Sequence, residues 1–231
     1  MLEVCVETIQ AAKLAEQSGA DRIELCSALD LGGVTPSGPL VSAVRRSIQL
    51  PLIVLIRSRS GDFLFDELDR ELMLQEAKQA IALGVDGIAI GGLSPSLDLD
   101  LPLLQSVATE LPNCQLVMHR AFDQVRQPAD AMERLIELGF TRILTSGGPN
   151  LAIDGLIAIQ QLTQRSRGRI EVLPAGGISN ANALEILNKT GVNQLHGSFR
   201  NASLQNTMDP NSIAQTKAIL SSIIRSNRET A

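Results

Sequence analysis

Tryptophan and tyrosine are absent from this 231-residue chain, and phenylalanine occurs only five times. The stacking platforms that hold unpaired bases are therefore missing. With 25 acidic against 20 basic residues, a formal net charge of −5, so is the positive field that grips a phosphate backbone. Both absences argue against a nucleic-acid partner. Long hydrophobic runs are absent as well: the longest, such as "LPLIVLI", fall far short of a bilayer's thickness, so no membrane span is expected. The start, "MLEVCVETIQ", carries acids where a secretory leader needs a basic start and an apolar core, and a cytosolic protein is expected. Cysteine is scarce and odd in number, three in all, which suits reduced thiols better than a disulfide framework. Lysine occurs four times, at positions 13, 78, 189 and 217, always in helical stretches. No strand then offers an amine for a Schiff base, which argues against class I aldolase chemistry.

What is present is a regular α/β pattern. With 44% hydrophobic and 19% charged residues and no linker-like tract, the chain reads as one domain. Four segments, "SGADRIELC", "LGVDGIAIGG", "LGFTRILTSGG" and "TGVNQLHGS", each place a glycine after a helical stretch and an apolar strand shortly behind it. Gly19, Gly84, Gly139 and Gly191 fit left-handed helix C-caps. Between these segments lie "LEVCV", "LIVLI", "QLVMH" and "IEVLP", which brings the strand count to eight, each followed by a helix. Strict alternation demands a parallel sheet. An open doubly wound sheet can be drawn from it, but a fourfold βαβα repeat with short, equal strands fits a closed (β/α)8 TIM-type barrel better. A C-terminal helix over 209–225 and a disordered tail over 226–231 complete the expected chain.

Two strands carry an unusual alternation. "RIELC" puts Arg22, Glu24 and Cys26 on one side, and "EVCVE" does the same with Glu3, Cys5 and Glu7. In a barrel the outward face packs on helices and must be apolar. That turns Val4, Val6, Ile23 and Leu25 outward and Glu3, Cys5, Glu24 and Cys26 toward the axis.

The C-terminal strand ends are where barrel active sites stand. They offer Cys5 and Glu7, Cys26, Arg57 and Arg59 with Asp62, His119, Arg120 and Asp123, and His196 with Ser198. Both histidines of the chain are in this set, although lone strand histidines also serve as hydrogen-bonded core residues. Glu7, Glu24, His119 and Asp123 are the acid–base candidates, and Arg57 and Arg59 are candidate anion clamps. "PAGGIS" and "HGSFR" supply Gly176, Gly177, Gly197 and Ser198 as a candidate anion cradle, in which a Cβ would fill the oxyanion's space. The same glycines could equally serve tight βα turns alone. The ligand of such a site would be a small phosphorylated or carboxylated metabolite.

The thiols open a second line. Cys5 and Cys26 sit near the ends of neighbouring strands, about 5 Å apart, with side chains on one face. Two converging soft ligands suit Cu(I). Buried cysteines also act simply as small hydrophobes. Cys114, ahead of the fifth strand, belongs to the opposite end.

Together "LEVCVET", "GADRIELCSALDLGGVTPS", "IRSRSGDF", "HRAFD", "LTSGG", "PAGGI" and "HGSFR" resemble the CutC family, often called copper homeostasis proteins, from Leu2 to about Arg200. The resemblance implies a TIM-type barrel, a cytosolic location and a Cu(I) role, with Cys5 and Cys26 as its copper ligands and no organic cofactor. It also favours a homodimer. The family's "RPRGGDF" reads "RSRSGDF" here, with Ser58 and Ser60 in place of proline and glycine. No reaction comes with the resemblance, so an enzyme of carboxylate and histidine chemistry stands as the alternative.

Overall fold

The strands found in the structure, a computed structural model describing residues 1–201 and 207–229, follow the apolar runs of the sequence closely. They are β1 (Leu2–Val6), β2 (Arg22–Leu25), β3 (Leu52–Ile56), β4 (Gly87–Ile90), β5 (Gln115–Met118), β6 (Arg142–Thr145), β7 (Glu171–Pro174) and β8 (Leu195–Gly197). In this eight-stranded sheet every ladder pair is parallel, in the order β7-β6-β5-β4-β3-β2-β1-β8, and a separate short antiparallel pair joins β9 (Arg200–Asn201) to β10 (Thr207–Met208). β7 and β8 then come side by side, so the sheet forms a nearly closed barrel.

Helices alternate with the strands: α1 (Ile9–Gln17), α2 (Gly38–Arg45), α3 (Glu67–Ala82), α4 (Leu101–Glu110), α5 (Pro128–Glu137), α6 (Leu156–Ser166), α7 (Ala183–Thr190) and α8 (Pro210–Glu229). Several start on side-chain caps, with Thr8, Asp66 and Asp100 each accepting from an N–H of the first turn. The four glycines of the repeat do adopt left-handed φ, 95° at Gly19, 83° at Gly84, 80° at Gly139 and 72° at Gly191. α8 runs four residues past the expected boundary at 225, to Glu229, because "SSIIRSNRE" holds no glycine or proline to stop it. Of the expected tail, 230–231 lie outside the described residues.

Period two along the strands divides the interior in two. Leu2, Val4, Val6, Ile23, Leu25, Leu52, Val54 and Ile56 face outward into one large core shared with the helices. A smaller cluster, Cys5, Cys26, Ile53, Leu55, Ala89, Val117, Leu144, Leu173 and Ala175, fills the barrel itself. The alternation in "EVCVE" and "RIELC" is thus a lumen signature.

Below that apolar layer the lumen floor is charged. Glu3 and Arg22 are ladder partners and form a buried ion pair. Arg22 also donates to Gln194 Oε1 at 3.0 Å, and Arg142 to Gln115 Oε1 at 2.9 Å. Burial alone would raise the Glu3 carboxyl, but the His196 hydrogen bond and Arg22 together bring it down to about 2.

Removing one partner of such a pair strands the other charge. Arg22→Leu should therefore cost about 3–5 kcal/mol in urea unfolding at pH 7, and Glu3→Gln/Arg22→Leu markedly less, since no charge is left unpaired. Equal losses in the single and the double variant would show that the pair does not act as a unit.

Candidate functional site

At the C-terminal mouth the strand ends surround a cavity of about 270 Å³. β1 contributes Cys5, β2 contributes Glu24, β3 contributes Leu55 and Arg57, and β5 is followed by His119. Gly176 and Gly177 after β7, then His196, Gly197 and Ser198, close the wall. Among the expected residues, Glu7, Arg59, Asp123 and Cys26 do not border this cavity.

Each of those four is held by neighbours. Glu7 forms an ion pair with Arg200 and accepts the Leu29 N–H at 2.8 Å. Arg59 pairs with Asp62 and Asp69, each at 3.0 Å, on the outer rim. Asp123 accepts from Thr145 Oγ1 at 2.6 Å, from the Ser146 N–H and hydroxyl at 2.9 Å each, and from Arg120 at 2.9 Å. It knots the loop after β5 to the end of β6. Cys26 is fully buried, packed beneath Gly33 and among the lumen apolar residues. Its Sγ nevertheless lies 3.5 Å from Cys5 Sγ, so the pair reaches the cavity through Cys5 alone. Cys114 sits at the far end as expected, its thiol pushed up to about 11 by burial.

Close packing constrains the glycines of the expected cradle. Gly177 has φ 68°, and a Cβ there would come within 2.7 Å of Leu151 Cδ2. At Gly176, φ 104°, it would come within 2.7 Å of the Asn150 carbonyl. At Gly197 it would come within 3.0 Å of the Phe199 ring. Asn182 braces the loop after β7: its Oδ1 accepts from Ser179 N–H at 2.9 Å, and its Nδ2 donates to Gly177 O at 2.7 Å. At the nearby N-terminus of α8, Asp209 accepts from Asn211 N–H at 2.9 Å.

Three groups at the cavity keep free capacity. Glu24 Oε2, Arg57 Nε and His119 Nε2 are buried without a hydrogen-bond partner. Arg57 is otherwise anchored, donating to Gly33 O at 3.1 Å and Gly61 O at 2.6 Å, with its guanidinium 4.6 Å from the Phe63 ring centroid. Phe63 in turn packs on His119, ring centroids 5.2 Å apart. His119 Nδ1 accepts the Ala121 N–H at 3.1 Å, so the neutral ring carries its proton on Nε2.

His196 and Glu3 were the residues sequence reasoning underweighted. His196 stood at the rim without an assigned role, and Glu3 was only a lumen acid. Their relation needs the β1–β8 ladder, which pairs Glu3 with His196. Glu3 Oε1 lies 2.7 Å from His196 Nδ1, and His196 Nε2 lies 3.9 Å from Glu24 Oε1. Burial opposes its charge, yet Glu24 and Glu3 hold His196 above the ordinary histidine range. Burial raises Glu24, chiefly for want of solvent. The Cys5 thiol is raised well above its usual value by Cys26, by burial and by Glu24. Ligand atoms of Cys5, Glu24 and His196 all lie within 4.8 Å of one another.

His119 gives a pH dependence with a definite sign. Burial first, and Arg57 second, lower it to about 3, so the folded state resists protonation that the unfolded chain accepts near 6.5. Its contribution is complete above pH 6.5 and is lost as pH falls toward 3. Between pH 7 and 5 wild type should lose about 2 kcal/mol through this residue, and His119→Asn, which keeps the cap on Ala121, should not. Urea midpoints that shift in parallel for both proteins would remove His119 as the cause.

Comparison with known proteins agrees with this geometry. Residues 1–201 match the model of the CutC family. The human protein called copper homeostasis protein cutC homolog is 42% identical over 200 residues, 87% of this chain and 73% of its own length. A CutC family protein of Histophilus somni is 38% identical over 207 residues, 88% of this chain and 85% of its own. Among solved structures, CutC from Streptococcus agalactiae superposes with a TM-score of 0.82 at 29% identity, covering 86% of this chain and 98% of that one. Matched along its barrel in sequence and in shape, this chain belongs to the CutC family.

Proposed function

We propose that this protein handles copper in the cytosol as Cu(I), taken through the cavity by the thiolates of Cys5 and Cys26. The observation that carries this reading is the 3.5 Å Sγ–Sγ approach, with Cys5 facing the cavity and Cys26 behind it. Two soft donors at such a distance discriminate for Cu(I) over hard cations. The relatives' printed names, copper homeostasis protein among them, support the same assignment. Among the described residues no helix is long and apolar enough to cross a membrane. The three cysteines are free thiols, as a reducing compartment keeps them.

The environment makes the ion compete with protons. Cys5 is a reluctant acid, so uptake must release protons, and affinity should climb as pH rises. Depth gives selectivity. A cation must shed water to reach Cys5 past Leu55, Leu144 and Ala175, which favours a weakly hydrated monovalent ion over a strongly hydrated one.

Cys5→Ser and Cys26→Ser should each weaken Cu(I) binding to the reduced protein by more than about tenfold, or 1.4 kcal/mol, in competition with a colorimetric chelator. Both should stay folded, since serine fits the volume and adds a modestly unsatisfied hydroxyl. Wild-type affinity in the double variant would overturn the dithiol reading.

A further inference from the structure

Beside the dithiol, the same cavity wall holds a second set of donors. Cys5 Sγ, a Glu24 carboxylate oxygen and a His196 ring nitrogen lie within 4.8 Å of one another, on three adjacent strands in the order β2, β1, β8. From this juxtaposition we infer a second metal site, for a borderline divalent cation of the zinc type, with Cys5, Glu24 and His196 as its three protein ligands. It shares Cys5 Sγ with the Cu(I) pair and no other atom: Cys26 takes no part in it, and Glu24 and His196 take no part in the dithiol.

Four features support it. The donors form an S, N, O set, which zinc accepts and which a strictly soft ion does not need. His196 is already oriented, because Glu3 Oε1 lies 2.7 Å from its Nδ1, which leaves Nε2 on the side of Glu24, 3.9 Å away. A carboxylate behind a metal-binding imidazole is the outer partner that fixes tautomer and raises ligand basicity. Glu24 is 5% exposed, and its Oε2 has no hydrogen-bond partner, so a ligating oxygen is free. Charge balances too: the dication offsets one thiolate and one carboxylate, while Glu3 remains matched by Arg22.

Bonds of about 2.0–2.3 Å to three ligands bring their atoms to roughly 3.5 Å from one another, so the side chains must close by about an ångström. The backbone need not move, since all three belong to one rigid sheet. With three protein ligands and a cavity of about 270 Å³ alongside, the fourth position opens to water or a small anion. That is the arrangement of a reactive metal site rather than of a sealed structural one. Arg57 and His119 Nε2–H border the same cavity and could donate to an anion at that position.

Cobalt(II) is the probe, because a thiolate ligand gives a near-ultraviolet charge-transfer band and tetrahedral coordination gives intense visible bands. Titrated into reduced, full-length protein, Co(II) should produce both, and Zn(II) should abolish them at one equivalent. Cys5→Ser should lose the charge-transfer band. His196→Gln and Glu24→Gln should weaken Co(II) binding at least about tenfold, each with its fold checked by circular dichroism, so that one folded variant suffices. Cys26→Ser should keep the bands and the affinity while losing Cu(I), which separates this site from the dithiol. The inference is overturned if wild type gives no charge-transfer band, or if Cys26→Ser loses it while His196→Gln and Glu24→Gln keep it.

Discussion

The carboxylate of Glu3 is the point on which the barrel's polar interior turns. Its ladder neighbours are Arg22 on β2 and His196 on β8, and its side chain bonds to both. An acid with almost no solvent exposure survives as an anion only with such partners. The consequence is reciprocal. Glu3 gives Arg22 its counter-charge in the floor, and its bond to Nδ1 sets which nitrogen of His196 looks into the cavity. One buried group thereby links the closing seam of the barrel to the chemistry of its mouth.

Above this floor the lumen changes character twice. Ile53, Leu55, Ala89, Val117, Leu144 and Leu173 form a dry layer, and Cys26 is part of it. Cys5 and Glu24 stand where that layer meets the cavity. Low polarity there discourages both the thiolate and the carboxylate, and a cation is the simplest agent that restores them. The rim beyond is tied in pairs, Arg200 with Glu7, Arg59 with Asp62 and Asp69, Arg120 with Asp123. The Arg200–Glu7 pair joins the segment after β8 to the end of β1, while the other two brace single βα loops.

The fold was legible because period-two alternation and the glycine after each helix are local signals. Strand positions such as Leu2–Val6 and Leu52–Ile56 follow directly from apolar runs. The lumen assignment of Glu3, Cys5, Glu24 and Cys26 came from the same local rule. The site was legible only in part, since proximity across strands depends on register and on which loop residues find partners. Nothing near Asp123 in the sequence says that Thr145 and Ser146 will saturate it. Nothing near Gly177 says that Leu151 will lie against it. His196 and Glu3 are 193 residues apart, and only closure of the barrel makes them neighbours. The alternation also could not say how deep each thiol sits. Cys5 pairs in register with Glu24, and Cys26 lies two residues further along β2, yet it is Cys26 that the β2 loop covers.

Sharing Cys5 would give the two proposed metal sites a mutual constraint. A cation held by Cys5 and Cys26 and another held by Cys5, Glu24 and His196 would both be bonded to one sulfur, and so only a few ångströms apart. A monovalent and a divalent cation about 4 Å apart repel by about 8 kcal/mol at an effective dielectric constant near 20, which disfavours double occupancy. With both proposed sites, the soft partner and the harder partners of Cys5 would act as a sorting device, in which the ion's own preference decides which way the sulfur turns. Glu3 would bias that choice without touching the ion, because its bond to His196 Nδ1 leaves Nε2 free for a cation.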